Sequence, residues 1–183
     1  MNRDLIFAMV FFGAVLLAAQ PNKPNYHSTC CRPLSPDQVE KIPRAVREQL
    51  KAEHCMIPQN GFTQEDPQPN NAIHGSWAAK GQQDWAVLCL KPEQLSVRLF
   101  WGGKTRCDDT IVLTRFRPND GHWDDPETVL WPADAKKMRS YDRAFGNHHL
   151  PVLDHAGLEI GGEEATTIYY CLEGKWTKLA GND

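Results

Sequence analysis

Residues 75–101 read GSWAAKGQQDWAVLCLKPEQLSVRLFW, and this stretch decides the fold that the sequence predicts. Residues 85–90 are apolar without interruption, which is typical of a strand covered on both faces. Residues 95–101 alternate between apolar and polar side chains, which is typical of a half-buried strand. Pro92 lies between the two runs and presets the backbone angle of a turn. The stretch therefore predicts a β-hairpin in the middle of an antiparallel sheet.

The composition is that of one ordinary domain with many turns. The chain has 183 residues, of which 41% are hydrophobic, and this is enough for one buried core. Its 13 prolines and 13 glycines indicate short elements joined by turns. The net charge of -3 gives no electrostatic reason to expect binding to nucleic acid or to an anionic membrane.

Residues 1–19 have the organisation of a secretory signal peptide. A charged start precedes an apolar run at residues 5–19, and Pro21 follows almost at once. This order is typical of a cleaved signal, whereas a retained anchor needs about 20 apolar residues. We predict cleavage after Ala19, a mature protein without a stable membrane anchor, and a secreted or periplasmic location.

Further helices and strands are predicted around the hairpin. Residues 20–34 lack periodicity and predict an extended arm. Ser35 and Pro36 are helix-start residues, and Pro43 divides the helical pattern after them, so the longer helix is expected over about residues 43–53. A second helix is predicted over residues 132–145. Strand patterns occur at residues 111–116, 128–131, 166–172 and 175–179, and residues 57–74 are interpreted as a loop.

Together these patterns predict an α+β domain over residues 35–183. We expect an N-terminal helix and a mid-chain helix packed on an antiparallel sheet of about five to seven strands.

Export gives the cysteines a structural meaning. An even number of cysteines in an oxidising compartment predicts disulfides, and the alternative of a zinc site lacks a Cys-x-x-Cys pair. Cys55 directly follows the first helix and Cys89 lies in the central strand, so we predict a bond between them. Cys107 and Cys171 then pair with each other or with the N-terminal arm. The complete set is Cys30, Cys31, Cys55, Cys89, Cys107 and Cys171.

Several of these segments resemble a group of exported bacterial proteins of unknown function. The similarity lies in residues 55–59, residues 81–89, the pair Asp154 and His155, and the closing hairpin with its Tyr-Tyr and Gly-Lys-Trp sequences. It covers most of the mature chain. The resemblance implies a bacterial exported protein and implies no activity.

Residues 76–87 separately resemble one FG-GAP repeat, the calcium-loop unit of certain β-propellers. In that repeat, side chains at loop positions one, three, five and nine hold the ion. The residues at these positions are Ser76, Ala78, Lys80 and Asp84. Only Asp84 is a calcium-type ligand, and calcium prefers six to eight oxygens, so no calcium is expected. Either Lys80 pairs with Asp84 in the vacated centre, or Lys80 is solvated and Asp84 caps a turn.

The strongest polar cluster lies at residues 148–159. Histidines and carboxylates this close in sequence are able to hold zinc or to supply a general base, and solvated loop residues are the alternative. No recognised metal spacing is present, and neither a metal nor a cofactor is expected. If the segment forms a binding site, its candidate residues are Asp154, His155 and Glu159.

Tryptophans supply the remaining candidates for binding. Most of the six fall at predicted strand positions and are expected in the core. Trp77 and Trp123 fall in predicted loops and are candidates for an exposed binding surface.

Nucleophilic-serine and phosphate-loop motifs are absent from the sequence. The leading hypothesis is therefore a non-catalytic exported module that binds an envelope or extracellular protein or glycan. The alternative is a small hydrolase or metal-dependent enzyme using residues 148–159.

Overall fold

The computed structural model of the chain describes residues 33–59, 69–92, 94–115, 128–145, 150–162 and 165–179. Several predictions lie outside the described residues: the signal peptide at 1–19, nearly all of the arm at 20–34, the pair Cys30 and Cys31, Trp123, and the pair His148 and His149. Within the described ranges, no helix is long and apolar enough to cross a membrane.

Eight strands in the described residues form two antiparallel sheets of four strands each. The first sheet contains β1 (Ala72–Gly75), β2 (Asp84–Lys91), β3 (Gln94–Phe100) and β4 (Thr110–Arg115). The second sheet contains β5 (Val129–Ala133), β6 (Gly157–Gly161), β7 (Thr166–Leu172) and β8 (Lys175–Leu179). The strands lie in chain order within each sheet. The α+β class is confirmed, whereas the expectation of one sheet with five to seven strands is wrong.

The predicted central hairpin is β2 and β3, and its burial explains its sequence pattern. Lys91 pairs with Gln94 across the turn. Leu88 belongs to the core between the two sheets, while Val87 and Cys89 face the helical side of the first sheet. Because both faces of β2 are covered, its sequence is apolar without interruption.

The layers follow from three hydrophobic clusters. The largest cluster lies between the sheets and includes, for example, Val97 of the first sheet and Ile160 of the second. The outer face of the first sheet packs on α1 (Arg44–Ala52), which buries Leu50. The outer face of the second sheet packs on α2 (Ala135–Phe145), which buries Met138. The order of layers is therefore helix, sheet, sheet, helix.

Both predicted helices are present, with small changes at their starts. A 3-10 turn, Pro36–Gln38, precedes α1, so the predicted division at Pro43 is confirmed. The second helix begins at Ala135, later than predicted, because Pro132 belongs to the edge strand β5, where proline is tolerated. Asp134 caps α2, since its Oδ1 accepts from the Lys137 N–H at 2.7 Å.

Two strands, β1 and β6, were not predicted. β6 begins and ends with glycine and reads Gly-Leu-Glu-Ile-Gly, which is a weak strand pattern. Close packing accounts for Gly157, because a Cβ there would be 2.8 Å from Met138 Sδ and 2.9 Å from the Tyr169 carbonyl oxygen. The residue that weakens the strand signal is thus the one that lets α2 approach the sheet.

Two disulfides connect these layers. The predicted pair Cys55 and Cys89 is bonded, with a Cα–Cα distance of 5.3 Å, and joins the end of the α1 region to β2. Cys107 and Cys171 are bonded to each other, with a Cα–Cα distance of 5.9 Å, and join the two sheets. In the chain-entropy description, loops of this size contribute roughly 4 kcal/mol each to the free energy of unfolding, less any native strain.

Candidate functional site

An open cleft of about 270 Å³ lies where three segments meet. One is the β1–β2 loop, residues 76–83, and another is the start of α2. The third is the segment of residues 153–156 that leads into β6, which we call the cleft wall. The cleft is lined by Ser76, Lys80, Gly81, Asp134, Ala135, Leu153, Asp154, His155 and Ala156. Two of the predicted binding residues, Asp154 and His155, therefore line it together.

Asp154 and His155 form a hydrogen-bonded pair in the cleft wall. His155 Nδ1 is 3.0 Å from Asp154 Oδ1. The Asp154 side chain is 70% exposed, whereas that of His155 is only 7% exposed. Hydrogen bonding to His155 is the main cause that lowers the pKa of Asp154; desolvation opposes it, and the histidine charge and backbone hydrogen bonds add to the lowering. Asp154 therefore presents a carboxylate at the mouth of the cleft.

The other ring nitrogen of His155 is also engaged. His155 Nε2 is 2.9 Å from the carbonyl oxygen of Cys171 in β7. At the next residue of the cleft wall, the Ala156 N–H donates to the Ser76 carbonyl at 2.9 Å. The cleft wall, which continues into β6, thus also contacts β7 through the histidine ring and the β1–β2 loop through its backbone.

Buried Asp84 organises the β1–β2 loop. It is 0% exposed, and its carboxylate accepts from the Trp77 N–H at 3.1 Å and the Gly102 N–H at 2.9 Å. The Gln82 amide donates to it at 2.7 Å. Lys80 is exposed and forms no ion pair with Asp84. The hypothesis that Lys80 occupies the centre of the loop is therefore wrong, and Asp84 is held by neutral donors.

Trp77 lies inside the protein, so the expectation that it is an exposed binding residue is wrong. Its side chain is 0% exposed and belongs to the core between the sheets. Two features of the loop turn it inward. Asp84 holds the backbone N–H of Trp77, and Gly75 leaves room for the ring, since a Cβ there would be 2.5 Å from it.

Glu159, the third predicted residue of the polar cluster, does not line the cleft. It lies in β6 and is 3% exposed. It pairs with Lys137 of α2 and accepts from the Tyr141 hydroxyl at 3.1 Å. Alternation along β6 explains the separation, because Leu158 and Ile160 face the other sheet while Glu159 faces α2. Glu159 attaches the helix to the sheet.

These contacts limit the chemistry of the cleft. Both ring nitrogens of His155 are within hydrogen-bond distance of groups of this chain, the Asp154 carboxylate and the Cys171 carbonyl oxygen, so neither is left without a partner for contact with a substrate. Across the part of the chain that the structure describes, no three His, Cys, Asp or Glu side chains are grouped to hold a metal ion. The exposed groups at the cleft are Lys80, Asp134 and Asp154, and these offer hydrogen bonds and charge.

Sequence reasoning missed Asp134 as a cleft residue. An aspartate before a helical pattern is a capping signal, but the predicted start of the helix at residue 132 concealed it. Trp101 and Trp176, which the sequence places in the core, pack against the cluster between the sheets. These rings stack with centroids 6.0 Å apart and lie, half-buried, over the bond between Cys107 and Cys171.

Comparison of the chain with models of protein families, with curated proteins and with solved structures finds no match. The resemblances to exported bacterial proteins and to the FG-GAP repeat therefore stay predictions.

Proposed function

We propose that the chain is an exported, non-catalytic module that binds an envelope or extracellular protein or glycan through the cleft. The observation that carries the proposal is the state of His155. A histidine beside an aspartate at a cleft is the usual sign of general-base chemistry, yet here its second nitrogen is bonded to a backbone carbonyl. The pair holds the cleft wall in place and presents Asp154 to a ligand.

The size and lining of the cleft support a contact with a single group. At about 270 Å³ it is smaller than the roughly 300–1,000 Å³ typical of small-molecule sites. Leu153, Ala135 and Ala156 supply apolar surface, and exposed charges surround them. One side chain of a partner protein or one sugar ring fits such a site better than a complete substrate does.

The disulfides support export. Structural disulfides persist in oxidising compartments, and the bonds of Cys55 with Cys89 and of Cys107 with Cys171 connect different layers of the fold. Residues 1–19 remain the predicted signal peptide. N-terminal sequencing of the protein from its native compartment is expected to begin at about residue 20, and an intact Met1 would contradict cleavage.

A glycan array with matched variants tests the proposed function. The double variant Lys80→Ala/Asp154→Ala removes two exposed charges of the cleft, and Arg44→Ala/Glu48→Ala removes one charge of each sign from exposed positions of α1. Binding that the first variant loses and the second retains supports a glycan ligand at the cleft. Equal binding by both variants contradicts the site, and release of hydrolysed sugar from the array would favour the enzyme alternative.

A further inference from the structure

Three cations lie in one line on the solvent side of α2. Lys136, Arg139 and Arg143 are exposed, and their spacing of three and four residues places them on the same face of a helix. Met138, on the other side of α2, is buried against the second sheet. The three cations, which we call the basic stripe, therefore point away from the sheet, and they span about 10 Å along the helix axis.

The other two charged side chains of α2 are held toward the sheet. Lys137 pairs with Glu159, which is buried in β6. Asp142 is half-buried, and it acts on Tyr170 of β7, whose pKa is raised first by burial and then by the charge of Asp142. The fold thus separates the charges of the helix, and only cations remain on its solvent side.

The positive charge of the basic stripe is not neutralised within the described residues. None of the ion pairs in that part of the chain includes Lys136, Arg139 or Arg143. Arg143 Nε donates to the Arg139 carbonyl oxygen at 3.3 Å, which uses one of the five N–H donors of that guanidinium group. The terminal donors of the three side chains can therefore meet an anion from solvent.

α1 has the same spacing of cations, but its charges are paired. Arg44, Arg47 and Lys51 repeat the intervals of three and four residues. The Lys51 ammonium group is 3.0 Å from the Asp37 carboxylate and 3.4 Å from the Glu48 carboxylate. Acidic side chains therefore interrupt the cations of α1.

Ser140 marks the difference between the two helices. It follows the first cation of α2 by four residues, as Glu48 follows the first cation of α1. A glutamate at residue 140 would lie beside Lys136 and Arg143, at the spacings where opposite charges on a helix attract. Because the residue is an uncharged serine, α2 presents an uninterrupted positive surface and α1 does not.

We infer that the basic stripe is a second binding surface, and that its ligand is an acidic polysaccharide with a carboxylate on successive sugars. The planar guanidinium group matches a carboxylate with two parallel hydrogen bonds. A straight row of cations suits a linear chain, and its length is comparable with that of a disaccharide unit. This surface goes beyond the proposed function, since it does not use the cleft.

The negative net charge of the protein does not exclude this ligand. Charges in solution act over about 8 Å at physiological salt, so a bound chain responds to the cations beneath it more than to distant carboxylates. A lipid surface fits the stripe less well, because a helix that lies in a membrane interface needs apolar side chains beside its cations. The exposed neighbours of the stripe are Ser140 and Ala144, and Phe145 packs edge-on against Tyr141.

Binding of the protein to immobilised polygalacturonate tests the inference. We expect Lys136→Gln/Arg139→Gln/Arg143→Gln to bind at least about tenfold more weakly than the wild type, because three exposed charge contacts are lost. Wild-type binding should fall between about 0.05 M and about 0.5 M salt. Fully methyl-esterified polygalacturonate, which has the same backbone without the charge, should not bind.

α1 supplies the matched control. Arg44→Gln/Arg47→Gln/Lys51→Gln removes the same number of positive charges with the same spacing, so both triple variants have the same net charge. We expect it to bind polygalacturonate within about twofold of the wild type, because its cations are interrupted by acids. This comparison separates the position of the charges from their sum.

Ser140→Glu provides a single-residue test that keeps all three cations. It gives α2 the acid that α1 has at Glu48, and it should weaken binding about threefold through its pairing with the neighbouring cations. The residue is exposed, so the melting temperature should stay near that of the wild type. None of these variants alters the cleft, so failure of this inference and failure of the proposed function are separate results.

The inference is wrong if the wild type does not bind polygalacturonate, or if it binds the esterified polymer equally well. It is also wrong if the α2 triple variant keeps its binding, if the α1 triple variant loses as much, or if Ser140→Glu has no effect. Binding to phosphatidylglycerol vesicles without binding to polygalacturonate would assign the stripe to a lipid surface and would contradict the inference.

Discussion

Asp84 and Asp154 are two carboxylates that both contact the β1–β2 loop, yet their surroundings differ. Asp84 is 0% exposed and is held by two backbone N–H groups and one side-chain amide. The Asp154 side chain is 70% exposed and pairs with His155. A buried carboxylate that accepts several hydrogen bonds fixes the shape of the loop, whereas an exposed one remains accessible from solvent. Two similar residues in one region thus differ in role: Asp84 serves the structure, and Asp154 is the one that the proposed function assigns to binding.

Replacing Asp84 should have the largest effect on stability. Asp84→Ala leaves the buried Trp77 N–H and the partly buried Gly102 N–H without their acceptor, and an unsatisfied buried donor costs about 1–3 kcal/mol. We expect the free energy of unfolding to fall by about 2–4 kcal/mol in denaturant titrations. Asp37→Ala, which removes an exposed pair with Lys51, is the matched control and should cost less than about 1 kcal/mol. Equal losses in the two variants would contradict a structural role for Asp84.

Breaking the pair of Glu159 with Lys137 should give the next largest loss of stability. Lys137→Met leaves the carboxylate of Glu159 in a site that is 3% exposed, where the Tyr141 hydroxyl still donates to it. Breaking a buried pair from one side is costly, although Lys137 itself is 40% exposed, so we expect a loss of about 1–3 kcal/mol. Adding Glu159→Gln should restore part of this loss, because the uncompensated charge is removed. A double variant no more stable than Lys137→Met alone would contradict this role of the pair.

Replacing Asp154 should change the pH dependence of the protein's stability more than it changes the magnitude of that stability. Its folded-state pKa is lowered from 3.8, so the stability that it contributes is present above about pH 4 and is lost as the pH falls below that value. Asp154→Asn should therefore lower the melting temperature slightly near neutral pH and converge with the wild type in acid, which flattens the acid end of the melting-temperature profile. An acid end that is as steep in the variant as in the wild type would show that the pair does not form.

Replacing Lys80 should have the smallest effect on the free energy of unfolding. Its side chain is exposed and does not pair with Asp84, so Lys80→Met should change the free energy of unfolding by less than about 0.5 kcal/mol. A double-mutant cycle with Asp84→Asn should give a coupling energy close to zero. A clear coupling would restore the hypothesis that the ammonium group occupies the loop.

The predictable parts of this fold are those whose pattern is local. The hairpins β2–β3 and β7–β8 and both helices have strong periodicity and turn residues, and they lie where the sequence places them. β6 does not, because Gly157 and Gly161 leave only the three residues between them to carry a strand pattern. The division into two sheets depends on contacts between distant segments, such as the Asn71 side chain bonded to Thr128 and Leu130. No local pattern carries that information.

The candidate site was also predictable only where its signal is local in the sequence. Asp154 and His155 are adjacent, so their pairing follows from proximity. Glu159 is equally close in sequence but lies in a strand, where alternation turns it toward α2. Trp77 lies in a loop, and only the contacts of Asp84 and the space over Gly75 show that the loop turns the ring inward.

The central claim is that the ligand of the proposed function meets the protein at the cleft, beside Asp154. Site-specific photo-crosslinking in the producing cell tests it most directly, with benzoylphenylalanine at Lys80 in the cleft or at Arg44, an exposed residue of α1. We predict a covalent adduct with a protein or glycan from the Lys80 position, reduced by Asp154→Ala and absent from the Arg44 position. Adduct yields that are equal at the two positions, or unaffected by Asp154→Ala, would contradict the claim.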